Sequence, residues 1–150
     1  MPEAPAVAVG VFVLSADGQV LLVKRGRAPA RGRWSVPGGK VNFGEGLAQA
    51  ARREVREETG LDVDPEAVVT VIERRVEGFH YLIVDLLARV GARSEPVAGD
   101  DAAAARWVPF AAAGALEHGD GLTDGLLAVL AQAQVVAERL DTGDQAITRL

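Results

Sequence analysis

Gly39-Lys-Val-Asn-Phe-Gly-Glu45-Gly-Leu-Ala-Gln-Ala-Ala-Arg-Arg53-Glu54-Val55-Arg-Glu57-Glu58-Thr-Gly60-Leu61 is the stretch on which the reading of this chain turns. From Gly46 to Thr59 the apolar residues Leu47, Ala48, Ala51 and Val55 fall on one side of a helix, with Gly60 placed as its C-terminal cap. On that helix Glu54, Glu57 and Glu58 are three and four residues apart, so their carboxylates gather on one face. Like charges there repel, and hard carboxylate oxygens are the ligands that Mg²⁺ or Mn²⁺ prefer. Glu58 borders the apolar side whereas Arg52 and Arg56 lie away from it, which puts the acids at the edge of the core. Arg53 can reach Glu57 one turn on, and Glu45, just ahead of the helix, suits the dipole.

Working outward, Ala6 to Leu14 and Gln19 to Lys24 are valine-rich runs joined through Asp17-Gly18, a hairpin pattern. Gly26 to Arg33 reads as an exposed loop, Trp34 to Pro37 as a short extended piece, and Gly38-Gly39 as a flexible turn that can bring a backbone carbonyl close to a cation. Downstream, Ala67 to Val76 and Phe79 to Val90 form a second hairpin around Glu77-Gly78. Gly91 to Ala105 reads as a loop, Trp107-Val108 as a short strand, Pro109 to Leu116 as a short helix, and Thr123 to Leu140 as a longer one capped by Thr123. The order strands, helix, strands, helix predicts an α+β fold, an α/β/α sandwich around a mixed sheet. One domain over residues 1–140 and a frayed tail over 141–150 complete the expected organisation.

Composition narrows the function classes. The 150 residues are 49% hydrophobic, enough for one sizeable core, and no cysteine is present, which excludes a disulfide framework, a thiolate metal site and a cysteine nucleophile. A net charge of −5 argues against binding to a nucleic acid polymer or an anionic membrane. The stretch Ala6 to Leu14 is too short to span a bilayer, so a cytoplasmic location is expected. Lys24, Arg25, Arg27, Arg31 and Arg33 form a local basic cluster, whose arginine forks suit phosphate oxygens.

Three glutamates on a helix can be no more than a solvated acidic face. Seven specified residues at fixed offsets, Gly39, Glu45, Arg53, Glu54, Glu57, Glu58 and Gly60, are another matter, with a chance on the order of 10⁻⁷ in a chain of average composition. Together with Val55 and Leu61 they match the Nudix box, and the chain resembles the Nudix hydrolase family from about residue 6 to 135, including the flanks Leu21 to Arg25, Trp34 to Gly39 and Trp107 to Pro109. The resemblance implies a pyrophosphatase in which Glu54, Glu57, Glu58 and the Gly39 carbonyl bind Mg²⁺ or Mn²⁺, while Arg53 and Glu45 organise the site. It leaves the general base open between Glu57 and the loop acids Asp100 and Asp101, whose plainer reading is an ordinary solvated turn. Arg25, Arg27, Arg33, His80 and Tyr81 are the expected substrate contacts. With histidines only at 80 and 118, a histidine metal site is not expected, and Trp34 and Trp107 read as core or core-edge residues.

Marks of the NADH-cleaving and coenzyme A subfamilies are missing. The strand His80-Tyr81-Leu-Ile-Val-Asp85 and the segment from Gly99 to Pro109 are similar to small bacterial Nudix proteins labelled ADP-ribose pyrophosphatases. ADP-ribose or a related nucleotide sugar is thus the first expected substrate, and an ordinary or oxidised (deoxy)nucleoside triphosphate the second. A non-catalytic nucleotide-binding module is the rival from another class. The family resemblance also implies a homodimer, with the apolar face of Thr123 to Leu140 available to core or interface.

Overall fold

The computed structural model describes residues 4–117 and 121–150. Seven strands, β1 (Ala6–Ser15), β2 (Gln19–Arg25), β3 (Trp34–Ser35), β4 (Gly38–Lys40), β5 (Pro65–Val76), β6 (Phe79–Val90) and β7 (Ala102–Pro109), make one mixed sheet. Its order is β3-β2-β1-β6-β5, with β4 added to β1 and β7 to β2. The β1–β6 pair is parallel, from Ala6 opposite Tyr81 to Ser15 opposite Val90, and every other pair is antiparallel. The edge of β1 is shared: β2 pairs near its end, at Leu14 and Val20, and β4 pairs with Ala8 to Gly10.

Helix α1 (Leu47–Thr59) packs on one face of the sheet, and the short α2 (Phe110–Ala113) and long α3 (Leu126–Asp141) pack on the other. Alternation along β1 feeds both cores. Val9, Val11 and Val13 meet Ala50, Ala51 and Val55 of α1, whereas Phe12 and Leu14 join Leu126, Leu130, Ala133 and Val136 of α3. The expected sandwich is therefore present. Helix α1 begins after Gly46, whose N–H donates to Gln49 Oε1, and stops at Gly60, which takes φ 73° and donates to the Arg56 carbonyl. Each buried Val or Leu side chain is worth about 1.5–3 kcal/mol, against a few tenths for a like-charge pair on a helix surface. Packing through Val55 thus holds three neighbouring glutamates on α1 despite their repulsion.

Several boundaries differ from expectation. Gly38-Gly39 is a strand rather than a turn, because β1 takes it up in register, Gly10 opposite Gly38 and Val9 opposite Gly39. Strand β7 is longer than Trp107-Val108: Ala102 to Ala105 show no alternation of polarity, yet they pair along β2. Thr123 is not the cap of α3, which starts behind Gly125 in the left-handed region at φ 81°. The segment expected as a helix from Pro109 to Leu116 is α2 followed by a 3-10 turn, Gly114–Glu117. Residues 141–150 are not frayed. Thr148 O accepts from Val68 N at 2.8 Å, Leu150 N donates to Glu66 O at 3.1 Å, and Ile147 packs against the α3-side core.

Candidate active site

The C-terminal half of α1 lies against β4, and glycine permits the contact. A Cβ on Gly39 would stand 2.5 Å from Glu54 Oε1, and one on Gly38 would stand 2.1 Å from the Val9 carbonyl oxygen. With no side chain on either, the Glu54 carboxylate rests directly over the β4 backbone, and Gly38 N donates to Glu58 Oε2 at 3.2 Å.

Arg53 organises the acids. It grips Glu45 with two nitrogens, at 2.7 and 2.9 Å, and places Nη1 2.8 Å from Glu54 Oε1 and 3.3 Å from Glu57 Oε2. Its Nη2 also donates to the Lys40 carbonyl at 3.0 Å, tying α1 to the end of β4. The expected reach to Glu57 is thus the longest of five contacts, and Glu45 acts through Arg53 and an accepted bond from Asn42 N rather than through the helix dipole alone. The guanidinium hydrogen bond, with the Asn42 N–H, holds the Glu45 carboxyl down to about 2.

Glu54 and Glu58 are shifted the other way. Burial, then the charge of Glu54 and the weaker one of Asp100, pushes the Glu58 carboxyl up to about 8, against the Gly38 N–H and the positive charge of Arg25. Burial also raises Glu54, in opposition to Arg53. Among the described residues no three His, Cys, Asp or Glu side chains converge on one ready-made metal position, since Arg53 draws Glu54 and Glu57 toward itself and Glu58 turns to Gly38. The donor set still fits a hard divalent cation: the carboxylates outnumber the guanidinium among them, and Glu58 carries a burial cost that a cation would offset.

A cavity of about 730 Å³ opens from these acids onto the α3 side of the sheet. It has the size of a small-molecule site. Gly38, Gly39, Arg53, Glu54, Glu57 and Glu58 line one end, and Arg25, Arg27, Arg33, Tyr81, Asp100 and Asp101 also border it. Burial lowers the Arg25 pKa, and its Nε donates to the Pro29 carbonyl. Arg27 is ion-paired with Asp101, and Arg33 donates to the Leu122 carbonyl and Asp124, both at 3.2 Å. The loop before β7 is anchored: Val97 N donates to Thr59 O at 2.9 Å and Gly99 N to Glu58 O at 3.1 Å, which carries Asp100 close enough for its charge to act on Glu54 and Glu58.

His80 is the misplaced member of the expected substrate set. Strand alternation turns it away from the cavity that Phe79 and Tyr81 line, and its Nε2 lies 3.4 Å from Glu73 Oε2. His118 lies outside the described residues. Trp34 packs beside the α3-side core with Arg106 4.6 Å from its ring centre, while Trp107 Nε1 donates to the Ser94 carbonyl. Arg74 and Asp85, to which the sequence assigned no role in the site, also line the cavity. A signal existed for both: Arg74 follows Ile72 at period two, and Asp85 interrupts the inward series Phe79, Tyr81, Ile83 and Leu87.

The chain is similar to several known proteins. The NUDIX domain model matches residues 4–127. An ADP-ribose pyrophosphatase of Methanocaldococcus jannaschii is 39% identical over 101 residues, 65% of this chain and 58% of that protein. Human (Homo sapiens) 8-oxo-dGDP phosphatase is 41% identical over 68 residues, 45% of this chain and 21% of that protein. The chain therefore spans between about a fifth and three fifths of the length of these curated relatives. Among solved structures, a MutT NUDIX hydrolase from Burkholderia pseudomallei aligns with a TM-score of 0.73 at 30% identity, over 87% of this chain and 98% of that one.

Proposed function

Because this chain belongs to the NUDIX family, we propose that it is a Mg²⁺- or Mn²⁺-dependent hydrolase of a diphosphate bond, with ADP-ribose or a related nucleotide sugar as the favoured substrate. The observation that carries this reading is the junction of α1 with β4. It brings Glu54, Glu57 and Glu58 to the mouth of a nucleotide-sized cavity bordered by Arg25, Arg27 and Arg33. A divalent cation held by the three glutamates and the Gly39 carbonyl would neutralise phosphate charge and lower the pKa of the attacking water.

The protein's own groups supply the rest. Arg53 and Glu45 fix the acids in place, and the arginines near the cavity orient and partly neutralise the diphosphate. Water adds its oxygen to one phosphorus, the P–O bond to the bridging oxygen breaks, and the departing phosphate carries that oxygen away. Glu57, at 42% side-chain exposure the most accessible of the Arg53-bound acids, is the candidate to take the water proton, with Asp100 as the alternative. Asp101 is occupied by Arg27 and serves better as a partner that sets this arginine's direction.

A second reading, hydrolysis of ordinary or oxidised (deoxy)nucleoside phosphates, is favoured by the similarity to the human 8-oxo-dGDP phosphatase. A nucleotide-binding module without turnover is the third. The deciding experiment is a panel of ADP-ribose, nucleotide sugars, dinucleoside polyphosphates and (deoxy)nucleoside triphosphates, with products identified by mass spectrometry in Mg²⁺ and in EDTA. The expected result is AMP and ribose 5-phosphate from ADP-ribose, in Mg²⁺ only. Preferred release of pyrophosphate or phosphate from triphosphates would replace the first reading by the second, and no cleavage at all would leave the binding module.

A further inference from the structure

We propose that Asp85 reads the base edge of the bound nucleotide and is the residue that sets base preference in this cavity. The inference rests on the nucleotide reading of the site. Asp85 sits on β6 with Gly10 of β1 as its register partner on one side and Thr70 of β5 on the other. Gly10 in turn faces Gly38 on β4, whose N–H holds Glu58. A row of strands thus runs from Asp85 to the acids of α1, placing Asp85 about 10 Å from Gly38 at ordinary strand spacing.

Three features set this carboxyl apart from a structural aspartate. It is 4% exposed, and among the described residues nothing is hydrogen-bonded to it; Arg74 acts on it through charge alone. No buried polar side-chain atom among those residues is sealed off without a partner, so the unpartnered Asp85 oxygens open on the cavity they line. Room for the carboxyl is made by Gly10, where a Cβ would lie 2.4 Å from Asp85 Oδ1. A buried carboxyl without partners costs stability, and a ligand that supplies the partners removes that cost.

The surroundings select the ligand. Phe12, Val36, Ile83, Leu126 and Val129 line the same cavity, which gives a flat heterocycle apolar walls. Burial pushes the Asp85 carboxyl up to about 7, with Arg74 opposing, so near neutrality it can offer a donor and an acceptor side by side. A nucleobase presents the complementary pair on one edge, a ring nitrogen and an exocyclic amine or oxygen. Ribose hydroxyls are the competing source of hydrogen bonds, and they are separable by experiment.

The test is calorimetric binding of AMP, GMP, CMP and ribose 5-phosphate to the full chain in EDTA, for wild type, Asp85→Ala and Asp85→Asn. Wild type should separate the three bases. Asp85→Ala should lose about tenfold or more for the preferred base, which is the worth of one good buried hydrogen bond, and leave ribose 5-phosphate unchanged. Asp85→Asn, which keeps a donor beside an acceptor, should restore part of the preference. Since Asp85→Ala removes a buried carboxyl, its melting temperature should hold or rise, and a cooperative melt verifies the fold. An unchanged base ranking in Asp85→Ala, equal weakening of ribose 5-phosphate, or a wild type that does not discriminate bases would each overturn the inference. Base-selective binding with no metal-dependent cleavage would sink the hydrolase reading and uphold this one. Cleavage with the same base ranking in Asp85→Ala would do the reverse.

Discussion

Glu58→Gln should make the metal-free protein more stable at alkaline pH while removing its activity. In the folded state burial pushes the Glu58 carboxyl up to about 8, from the 4.5 of a solvated glutamate. Between those values the native protein holds a proton that the unfolded chain has released. Stability is therefore full below the unfolded value and is lost as pH rises through the folded one, at about 1.4 kcal/mol per pH unit and about 5 kcal/mol at most. Glutamine keeps an oxygen to accept from Gly38 N–H and carries no charge to desolvate. For a chain of this size 1 kcal/mol moves Tm by about 2–4 °C, so wild type should lose about 5–15 °C relative to Glu58→Gln between about pH 5 and pH 8.5. The assay is thermal melting of both proteins in EDTA across that range, taking the difference so that other carboxyls such as Asp85 cancel. Mg²⁺ should then raise the wild-type Tm more at the alkaline end, where it does not compete with a proton, and raise the variant less. Parallel pH profiles for the two proteins in EDTA would refute the claim that Glu58 carries a burial cost.

Three further substitutions separate scaffold from chemistry. Arg53→Ala strands Glu45, Glu54 and Glu57 together; because Arg53 is 27% exposed, the expected loss is discounted to about 1–3 kcal/mol, seen in urea unfolding beside a fall in turnover. Gly39→Ala pushes a methyl against the movable Glu54 carboxylate, so activity should fall more than stability, whereas Gly38→Ala meets the fixed Val9 carbonyl and should destabilise the fold by about 1–3 kcal/mol or more; urea titrations and rates on the same samples check both. Truncation after Asp141 removes the Thr148 and Leu150 hydrogen bonds to β5 and the packing of Ile147, and should lower stability by about 1–3 kcal/mol with turnover per folded molecule retained.

What was legible in the sequence is what local chemistry decides. The apolar period and the capping glycine place α1 because a helix satisfies its own backbone, and the same periodicity brings Glu54, Glu57 and Glu58 together. Elements fixed by a distant partner were not legible. Ala102 to Ala105 become strand only because β2 offers an edge, Gly38-Gly39 only because β1 does, and residues 147–150 order along β5. Thr123 has the side chain of a helix cap, but the left-handed turn at Gly125 delays α3. Within the site, a period-two strand cannot present adjacent residues to one cavity, so Tyr81 faces it and His80 does not, and the same period selects Asp85.

If the carboxylates of α1 support metal-dependent cleavage of a diphosphate, turnover depends both on the cation and on Glu57 and Glu58. The most direct measurement is the turnover of ADP-ribose by wild type, Glu57→Gln and Glu58→Gln as Mg²⁺ is titrated from EDTA upward. Wild-type turnover should rise from zero and saturate, while each variant falls by two orders of magnitude or more, on the order of a lost catalytic or charge-stabilising group, with its fold intact. Turnover in EDTA, or variants that match wild type at saturating Mg²⁺, would contradict the claim.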